Sequence, residues 1–132
     1  MDNTNILIVD DDKSILRVFE RILNRRGGYR IDTAETGREA LEKLSRNSYQ
    51  VALIDVRLPD IDGLDLLSRI HAEDPDMVKI ILTGYASLDG GMKALSLGAA
   101  AYLVKPVKPQ ELLRVLESKL ATWKTLAKSR SE

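Results

Sequence analysis

Short apolar segments alternate along the chain with longer segments whose apolar residues have helical spacing. Residues 51–54 contain only apolar side chains, which is typical of a strand buried on both faces. Residues 13–26 instead place isoleucine, leucine and phenylalanine three and four positions apart, which predicts an amphipathic helix. The same criteria predict five strands, at residues 5–9, 29–33, 51–54, 78–82 and 101–104, of which the second lies near a sheet edge. They also predict five helices: residues 13–26, a helix that begins after Thr36, residues 64–70, residues near 87–97, and a helix that begins at Pro109.

Polar residues at the predicted helix ends support this division. Asp12 is placed to cap the first helix, and Thr36-Gly37-Arg38-Glu39 matches a capping box. Asp62 can cap the third helix, and Gly98 can end the fourth. Because five strand–helix units follow one another without interruption, the predicted architecture is α/β, with a parallel sheet covered by helices on both faces.

Length, charge and cysteine content narrow the class of protein. The 132 residues suit one domain, and 20 basic residues balance 20 acidic ones, so the overall charge does not favour nucleic acid or an anionic membrane. The absence of cysteine excludes disulfides, thiolate metal sites and a cysteine nucleophile. The first nine residues are too few and too polar for a signal peptide, and no apolar run reaches membrane-spanning length. We therefore expect a cytoplasmic domain with no membrane contact and no direct nucleic-acid binding.

Chemically useful side chains follow four of the five predicted strands. Asp10, Asp11 and Asp12 follow the first, Asp55 the third, Thr83 the fourth and Lys105 the fifth. In a parallel sheet the carboxyl ends of the strands share one edge, where ligands bind. Crowded carboxylates repel one another, and a hard divalent cation such as Mg²⁺ relieves that repulsion. A hydroxyl and an ammonium group suit phosphoryl oxygens. The pattern predicts a metal-bound anion beside a carboxylate that can attack it.

Each of these residues also has a simpler explanation. Asp12 is explained equally well as a helix cap, Thr83 as a turn residue and Lys105 as a surface residue. Their common position at the strand ends favours a shared site over separate structural roles.

Four segments contain the residues of the predicted site: Ile6–Asp12, Leu53–Gly63, Ile81–Gly84 and Gly98–Pro106. Together they resemble the receiver domain of two-component response regulators. The resemblance extends over about residues 5–120 and implies a flavodoxin-like, doubly wound (βα)5 fold with a five-stranded parallel sheet in the order 2-1-3-4-5. Residues 121–132 would then extend the last helix, as a longer closing helix, a dimer surface or a linker to an output domain.

The resemblance assigns a role to each residue of the predicted site. Asp55 would be the phosphoacceptor, which forms an acyl phosphate. Asp11 and Asp55 would ligate Mg²⁺ together with the backbone carbonyl of Arg57, while Asp10 would act mostly through water. Thr83 and Lys105 would hold phosphoryl oxygens. The bond between Lys105 and Pro106 would be cis.

The resemblance also implies a switch and its partners. Thr83 would move towards the phosphoryl group, and the ring of Tyr102 would turn from solvent into the space released. The alternative is that Tyr102 is an ordinary half-buried strand residue. The donor would be a sensor histidine kinase or a histidine phosphotransfer protein. The signal would leave through the face of helix four, strand five and helix five, which is also a candidate homodimer surface. Such a domain would not be an enzyme acting on external substrates, and it could be the N-terminal part of a transcriptional regulator.

Several residues depart from this pattern or lie outside it. Gly90-Gly91 falls inside the fourth helix, where each glycine costs about 0.8–1.0 kcal/mol relative to alanine, so we expect a short or mobile helix. The alternative is that Gly91 allows close packing. His71, the only histidine, is predicted to lie on the surface. Arg57 and Tyr85 are placed where their side chains can control access of water to the acyl phosphate.

Three other functions fit the sequence less well. A Mg²⁺-dependent phosphohydrolase would need a second acid–base carboxylate beside Asp55 and a cap domain, and Val56-Arg57 follow instead. A flavin-binding module would need a phosphate loop after the first strand, where the three aspartates would repel phosphate. A docking domain without phosphorylation is disfavoured because no residue of the site is missing.

Overall fold

Strands and helices alternate through the chain as the sequence pattern predicted. The computed structural model describes residues 3–131, with side chains to residue 126, so position 132 of the predicted extension and the side chains after 126 lie outside the described residues. The strands are β1 (Thr4–Val9), β2 (Tyr29–Ala34), β3 (Val51–Asp55), β4 (Val78–Thr83) and β5 (Ala101–Val104). The helices are α1 (Lys13–Arg26), α2 (Gly37–Arg46), α3 (Gly63–Glu73), α4 (Leu88–Ser96) and α5 (Pro109–Ser131).

The five strands form one parallel sheet in the order β2-β1-β3-β4-β5, which confirms the predicted fold class. The register pairs Val9 with Ile54, and Asp55 with Leu82. Thr83 pairs with Val104 at the end of β5. The first, third, fourth and fifth strands therefore end side by side, and the polar residues that follow them meet at one edge of the sheet.

The sheet has a hydrophobic core on each face because alternate residues of a strand point to opposite sides. One core joins α1 and α5 to residues such as Ile8, Leu53 and Ile80. The other joins α2, α3 and α4 to residues such as Ile54 and Ile81. All five residues of β3 are buried, so a change such as Leu53→Ala should cost about 2–5 kcal/mol of stability.

Side chains cap three helices as predicted, with one difference. Asp12 accepts from the backbone N–H of Ser14 at 2.9 Å, and Asp62 accepts from Leu64 at 2.7 Å. Thr36 accepts from the N–H of Glu39 at 3.0 Å. The Glu39 carboxylate, however, accepts from the N–H of Glu35 rather than that of Thr36, so the reciprocal bond of the capping box forms one residue earlier.

Helices α4 and α5 define the side of the molecule where β5 forms the sheet edge. The α4 helix is regular and begins after Ser87, whose hydroxyl accepts from the N–H of Gly90 at 2.9 Å. The α5 helix continues past residue 120, and the boundary placed there stays a prediction. Within the described part of the chain, no helix combines the length and the apolar character that crossing a membrane requires.

Candidate functional site

Three carboxylates meet at the carboxyl edge of the sheet. Asp10 and Asp11 follow β1, and Asp55 ends the neighbouring β3. One oxygen from each lies within 4.8 Å of the others. Asp10 and Asp55 are buried, with 1% and 7% of their surface exposed, whereas Asp11 is exposed. This arrangement offers hard oxygen donors from two buried carboxylates and one that faces solvent, which fits a divalent cation.

Lys105 is the positive charge nearest these carboxylates. Its Nζ lies 2.6 Å from Asp10 Oδ2 and 3.4 Å from Asp55 Oδ1. The bond between Lys105 and Pro106 is cis, as the resemblance implied. The ammonium group therefore balances part of the negative charge while remaining next to the carboxylate of Asp55.

Burial raises the pKa of the Asp55 carboxyl above its usual value, and the charge of Asp10 raises it further. The ammonium of Lys105 and a hydrogen bond from the backbone of Arg57 act in the opposite direction. The net effect is that ionised Asp55 carries an electrostatic cost in this environment. A bound cation would reduce that cost. The electrostatics and the three carboxylate donors therefore both favour a cation site.

The β3–α3 loop, residues 56–62, is packed tightly against the end of β3. The N–H of Gly63 donates to the carbonyl of Val56 at 2.7 Å. A Cβ at Gly63 would overlap the carbonyl oxygen of Asp55, so this close approach requires glycine. Arg57 and Asp62 form an isolated antiparallel bridge across the loop. These contacts hold the backbone of Arg57 beside the candidate nucleophile.

Asp60 ties the same loop to α2, which was not expected from the sequence. Its two carboxylate oxygens accept from the N–H groups of Gly37 and Arg38, each at 2.9 Å. These hydrogen bonds lower the pKa of Asp60. Asp60 lies in the turn after β3, and it also caps a helix that lies more than 20 positions earlier.

Thr83 and Tyr102 meet at the backbone of Tyr85. The Thr83 hydroxyl accepts from the N–H of Tyr85 at 3.0 Å and donates to its carbonyl at 3.3 Å. The hydroxyl of Tyr102 donates to the same carbonyl at 3.4 Å. The ring of Tyr102 is half-buried and packs against the core on the α2–α3–α4 face. The two predicted switch residues are therefore linked through one peptide group.

The side chains of Arg57 and Tyr85 are also in contact. The guanidinium carbon of Arg57 lies 3.9 Å from the centroid of the Tyr85 ring, which is a cation–π geometry. Tyr85 is 68% exposed, so the pair lies at the surface, just after the neighbouring ends of β3 and β4.

Comparison with known proteins identifies the family. The response regulator receiver domain model matches residues 6–117. The chain belongs to this family. The receiver domain is similar to the transcriptional regulatory protein ZraR of Escherichia coli (strain K12), with 38% identity over 120 residues, which are 91% of this chain and 27% of ZraR. The chain thus spans about a quarter of the length of this curated relative.

Solved receiver structures share the fold. A CheY-like response regulator receiver domain protein from Methanospirillum hungatei JF-1 superimposes with a TM-score of 0.90 at 41% identity, covering 94% of this chain and 98% of that one. The solution structure of the beryllofluoride-activated NtrC4 receiver domain dimer gives a TM-score of 0.85 at 35% identity, covering 90% and 98%.

The receiver domain exposes two apolar surfaces near the candidate site. On α4 and β5, large apolar side chains face solvent, including Leu88 at 78% exposure and Met92 at 61%. A separate cavity of about 380 Å³ lies beside Lys105. It is lined mainly by Ile15, Val18 and Phe19 of α1 and by Pro106 and Val107 after β5.

The receiver domain also contains a buried lysine at the opposite end of the sheet. Lys79 is 1% exposed, and its Nζ lies 2.8 Å from Nδ1 of His71. It also donates to the carbonyls of Asp74 and Pro75 at 3.4 and 3.3 Å. Burial lowers the pKa of Lys79, although Asp74 and Asp76 oppose this effect. His71, predicted to be a surface residue, is instead half-buried because it packs between Lys79 and Gly98.

Proposed function

We propose that this receiver domain is a phosphorylation-activated switch that accepts a phosphoryl group on Asp55 in a Mg²⁺-dependent reaction. The observation that carries the proposal is the position of Asp55, which lies with two other carboxylates and one ammonium group at the carboxyl edge of the sheet. The donor is a sensor histidine kinase or a histidine phosphotransfer protein. The domain turns over its own phosphoryl group and does not act on external substrates.

In this reaction a carboxylate oxygen of Asp55 attacks the phosphorus atom of a phosphohistidine. An oxygen–phosphorus bond forms as the phosphorus–nitrogen bond breaks, and the electron pair stays on the imidazole nitrogen of the donor. Lys105 contacts the carboxylates of both Asp10 and Asp55, which supports a role in which its ammonium group binds an oxygen of the transferred group. The Thr83 hydroxyl would exchange its Tyr85 partner for another phosphoryl oxygen.

The residues at this edge fit a magnesium ion. We assign its ligands to Asp11, Asp55 and the backbone carbonyl of Arg57, with Asp10 acting mostly through water. When bound, the ion neutralises charge on the transferring group and aligns it with the attacking oxygen. The Asp60 bonds to α2 and the close packing at Gly63 hold the loop that carries the Arg57 carbonyl.

The apolar cavity beside Lys105 supports a docking position for the phosphodonor. Its walls on α1 and after β5 are apolar, and its rim includes Lys105. An apolar side chain near the donor histidine could fill this cavity, which would bring the phosphoryl group to Asp55. Val18, which is 50% exposed, offers an accessible apolar contact in this wall.

We further propose that the signal leaves through the α4–β5–α5 face. The contacts of Thr83 and Tyr102 with Tyr85 support a path from the phosphoryl group to α4. Exposed Leu88, Met92 and Leu95 provide apolar area for a homodimer or an effector. The beryllofluoride-activated NtrC4 receiver domain is described as a dimer, so a homodimer of this chain is the assembly to test first.

The relatives support a role in regulating transcription. ZraR is described as a transcriptional regulatory protein, and the part matched here is about a quarter of its length. We therefore propose that the receiver domain works in the cytoplasm and controls an attached or separate regulator, without itself contacting nucleic acid.

Phosphorylation of the isolated domain tests the proposed function. The chain is incubated with acetyl phosphate and Mg²⁺, and its mass is compared with that of Asp55→Asn and with a sample containing EDTA. We expect one phosphoryl group on the wild type only when Mg²⁺ is present. An adduct of equal yield on Asp55→Asn, or a yield unaffected by EDTA, would refute the assignment.

A further inference from the structure

Helix α1 carries a row of basic side chains on its solvent side. They recur at every fourth position, so each lies next to the following one along the helix surface. All of them are exposed, whereas Leu16, Phe19 and Leu23 are buried on the opposite side of the helix. A helix rises about 1.5 Å per residue, so the row is about 18 Å long. The α1 basic row consists of Lys13, Arg17, Arg21 and Arg25.

The protein itself does not neutralise the α1 basic row. Among the residues whose side chains the structure describes, no ion pair includes a member of the row. Arg26, the next residue along the chain, shows the contrast, because its Nε lies 2.7 Å from Oε1 of Glu117 on α5. Glu20 is the one acidic residue of α1, and it forms no ion pair in this part of the chain either. The positive charges of the row are therefore available to a partner.

The local energetics of the helix do not explain the row. Positive charges four positions apart repel each other on a helix surface and lower its stability. Lys13 stands in the first turn, where the helix dipole disfavours a cation and where α1 has no acidic residue. Arg25 is the exception, because a cation in the last turn is favourable. The other members of the row lower the stability of the helix that carries them, which favours a role in binding.

The α1 basic row adjoins the apolar cavity of about 380 Å³ described above. Ser14 and Val18 line that cavity. Arg17 and Arg21 lie three positions after them, on the neighbouring part of the helix surface. A partner that fills the cavity with an apolar side chain therefore lies within reach of these two arginines. The row then continues along α1, which runs away from the carboxyl edge of the sheet.

We propose that the α1 basic row binds a matching row of acidic side chains on a helix of the phosphodonor protein. This inference rests on the function proposed above and names the chemistry of its partner. A helix lying beside α1, with an acidic residue at every fourth position, would place a carboxylate near each member of the row. Exposed ion pairs contribute little affinity one by one, so the row acts mainly on the association rate and on the choice of partner.

An acidic protein helix fits the row better than nucleic acid or an anionic membrane does. The exposed side chains of α1 include no aromatic residue on which a base could stack. Val18 is the only large apolar residue of α1 that is exposed, whereas a helix that binds a membrane needs a broad apolar face towards the lipid. The even spacing of the row and the adjoining cavity suit a folded protein partner.

Binding of a synthetic helix tests the row. The probe is a fluorescein-labelled peptide, stapled as a helix, with glutamate at every fourth position. Fluorescence anisotropy measures its affinity for the domain. Arg17→Gln combined with Arg21→Gln should weaken binding by about threefold or more at low salt, and added salt should reduce the difference. The melting temperature of this variant should equal or exceed that of the wild type, because the substitutions relieve repulsion within α1.

Arg114→Gln combined with Lys124→Gln is the matched control, because it removes two exposed positive charges from α5. This control should bind the peptide as the wild type does. A second peptide of the same composition, with its glutamates spread around the helix, should bind the wild type more weakly. If the two double variants bind the first peptide equally, or if the wild type binds both peptides equally, the inference is wrong. A lower melting temperature of the α1 variant would assign the row to folding and would also overturn it.

The same assay compares other anionic partners. Single-stranded oligothymidine and phosphatidylglycerol vesicles should bind the wild type more weakly than the acidic helix does. Tighter binding of either one, lost in the α1 variant, would assign the row to nucleic acid or to a membrane and would overturn the inference.

Phosphotransfer connects the row to the proposed function. The acidic peptide is extended by a histidine, which phosphoramidate phosphorylates, and transfer to Asp55 is followed by mass in the presence of Mg²⁺. Transfer to the α1 variant should be about threefold slower or more, while acetyl phosphate, which is too small to reach the row, should phosphorylate both proteins equally. Equal rates from the peptide, or transfer from acetyl phosphate alone, would overturn the inference. If neither donor phosphorylates the wild type, the proposed function fails, and the binding assay still decides whether the row recognises an acidic helix.

Discussion

Thr83 and Tyr102 donate hydrogen bonds to the same backbone carbonyl, that of Tyr85, at 3.3 and 3.4 Å. Thr83 ends β4 and Tyr102 lies within β5, so the shared acceptor joins the end of one strand to the middle of the next. A shift of the Thr83 hydroxyl changes the bonding of this peptide group, which precedes α4. We therefore propose that this peptide group links Asp55 mechanically to the exposed face of α4.

Replacing Thr83 by alanine should uncouple α4 from phosphorylation. The variant loses the hydroxyl that would otherwise leave Tyr85 for the phosphoryl group. Hydrogen exchange of residues 88–96, measured before and after treatment with acetyl phosphate and Mg²⁺, should change in the wild type and stay constant in Thr83→Ala. Thr83→Ser keeps the hydroxyl and should retain the change. If hydrogen exchange of residues 88–96 changed as much in Thr83→Ala as in the wild type, this hydroxyl would not be needed to couple phosphorylation to α4.

Replacing Lys105 should slow phosphorylation of Asp55. The Lys105 ammonium is 3.4 Å from Asp55, and Lys105→Met removes a positive charge that would contact the transferring group. The rate with acetyl phosphate should fall by about one to two orders of magnitude. Lys108→Met, which alters an exposed lysine of the same loop, is the control and should react at the wild-type rate. Equal rates for all three proteins would exclude Lys105 from the chemistry.

Removing the Asp60 carboxylate should loosen the β3–α3 loop. Asp60→Ala leaves the N–H groups of Gly37 and Arg38 without this acceptor and should lower the melting temperature. It should also weaken Mn²⁺ binding, measured by electron paramagnetic resonance, because the loop carries the Arg57 carbonyl. Asp65→Ala removes an exposed carboxylate from the start of α3 and should have the smaller effect on both quantities. If the two variants had the same melting temperature and the same affinity for Mn²⁺, Asp60 would not be what holds the loop to α2.

Replacing Lys79 should change how stability depends on pH. The folded pKa of Lys79 is below the ordinary 10.5, so burial of the charge costs free energy at neutral pH. Lys79→Met should therefore be as stable as the wild type or more stable by on the order of 1 kcal/mol. Between the folded pKa and 10.5 the unfolded wild type binds more protons, so wild-type stability rises with pH and the difference shrinks.

Urea denaturation at neutral and mildly alkaline pH measures this difference. Lys124→Met, which changes an exposed lysine on α5, provides the control for loss of a positive charge. An advantage of Lys79→Met that grows with pH would contradict the expected sign.

Patterns that act within a few residues were predicted well from the sequence. The apolar runs, the caps at Asp12 and Asp62 and the alternation of elements depend on local spacing, and the structure confirms them. The meeting of Asp10, Asp11 and Asp55 follows from the parallel sheet, because the strands that carry them are neighbours. The chemical roles of these residues stay predictions.

Contacts between residues that are far apart in the chain could not be predicted from local sequence patterns. Asp60 looks like a turn residue because its helix partner lies on another element. Lys79 lies in an apolar strand, where a lysine can be buried only if groups such as His71 and two carbonyls surround it. Gly90 and Gly91 suggested a weak helix because helix propensity does not include the ring of Tyr102. Each difference arises where tertiary packing outweighs local preference.

Borohydride reduction tests the central claim most directly, because it converts an aspartyl phosphate into homoserine and marks the acceptor residue. The wild-type domain is treated with acetyl phosphate and Mg²⁺, reduced, digested and sequenced by mass spectrometry. Homoserine at position 55, dependent on Mg²⁺, is the predicted result. Homoserine at position 10 or 11, or none at position 55 in a sample that carries a phosphoryl group, would contradict the account.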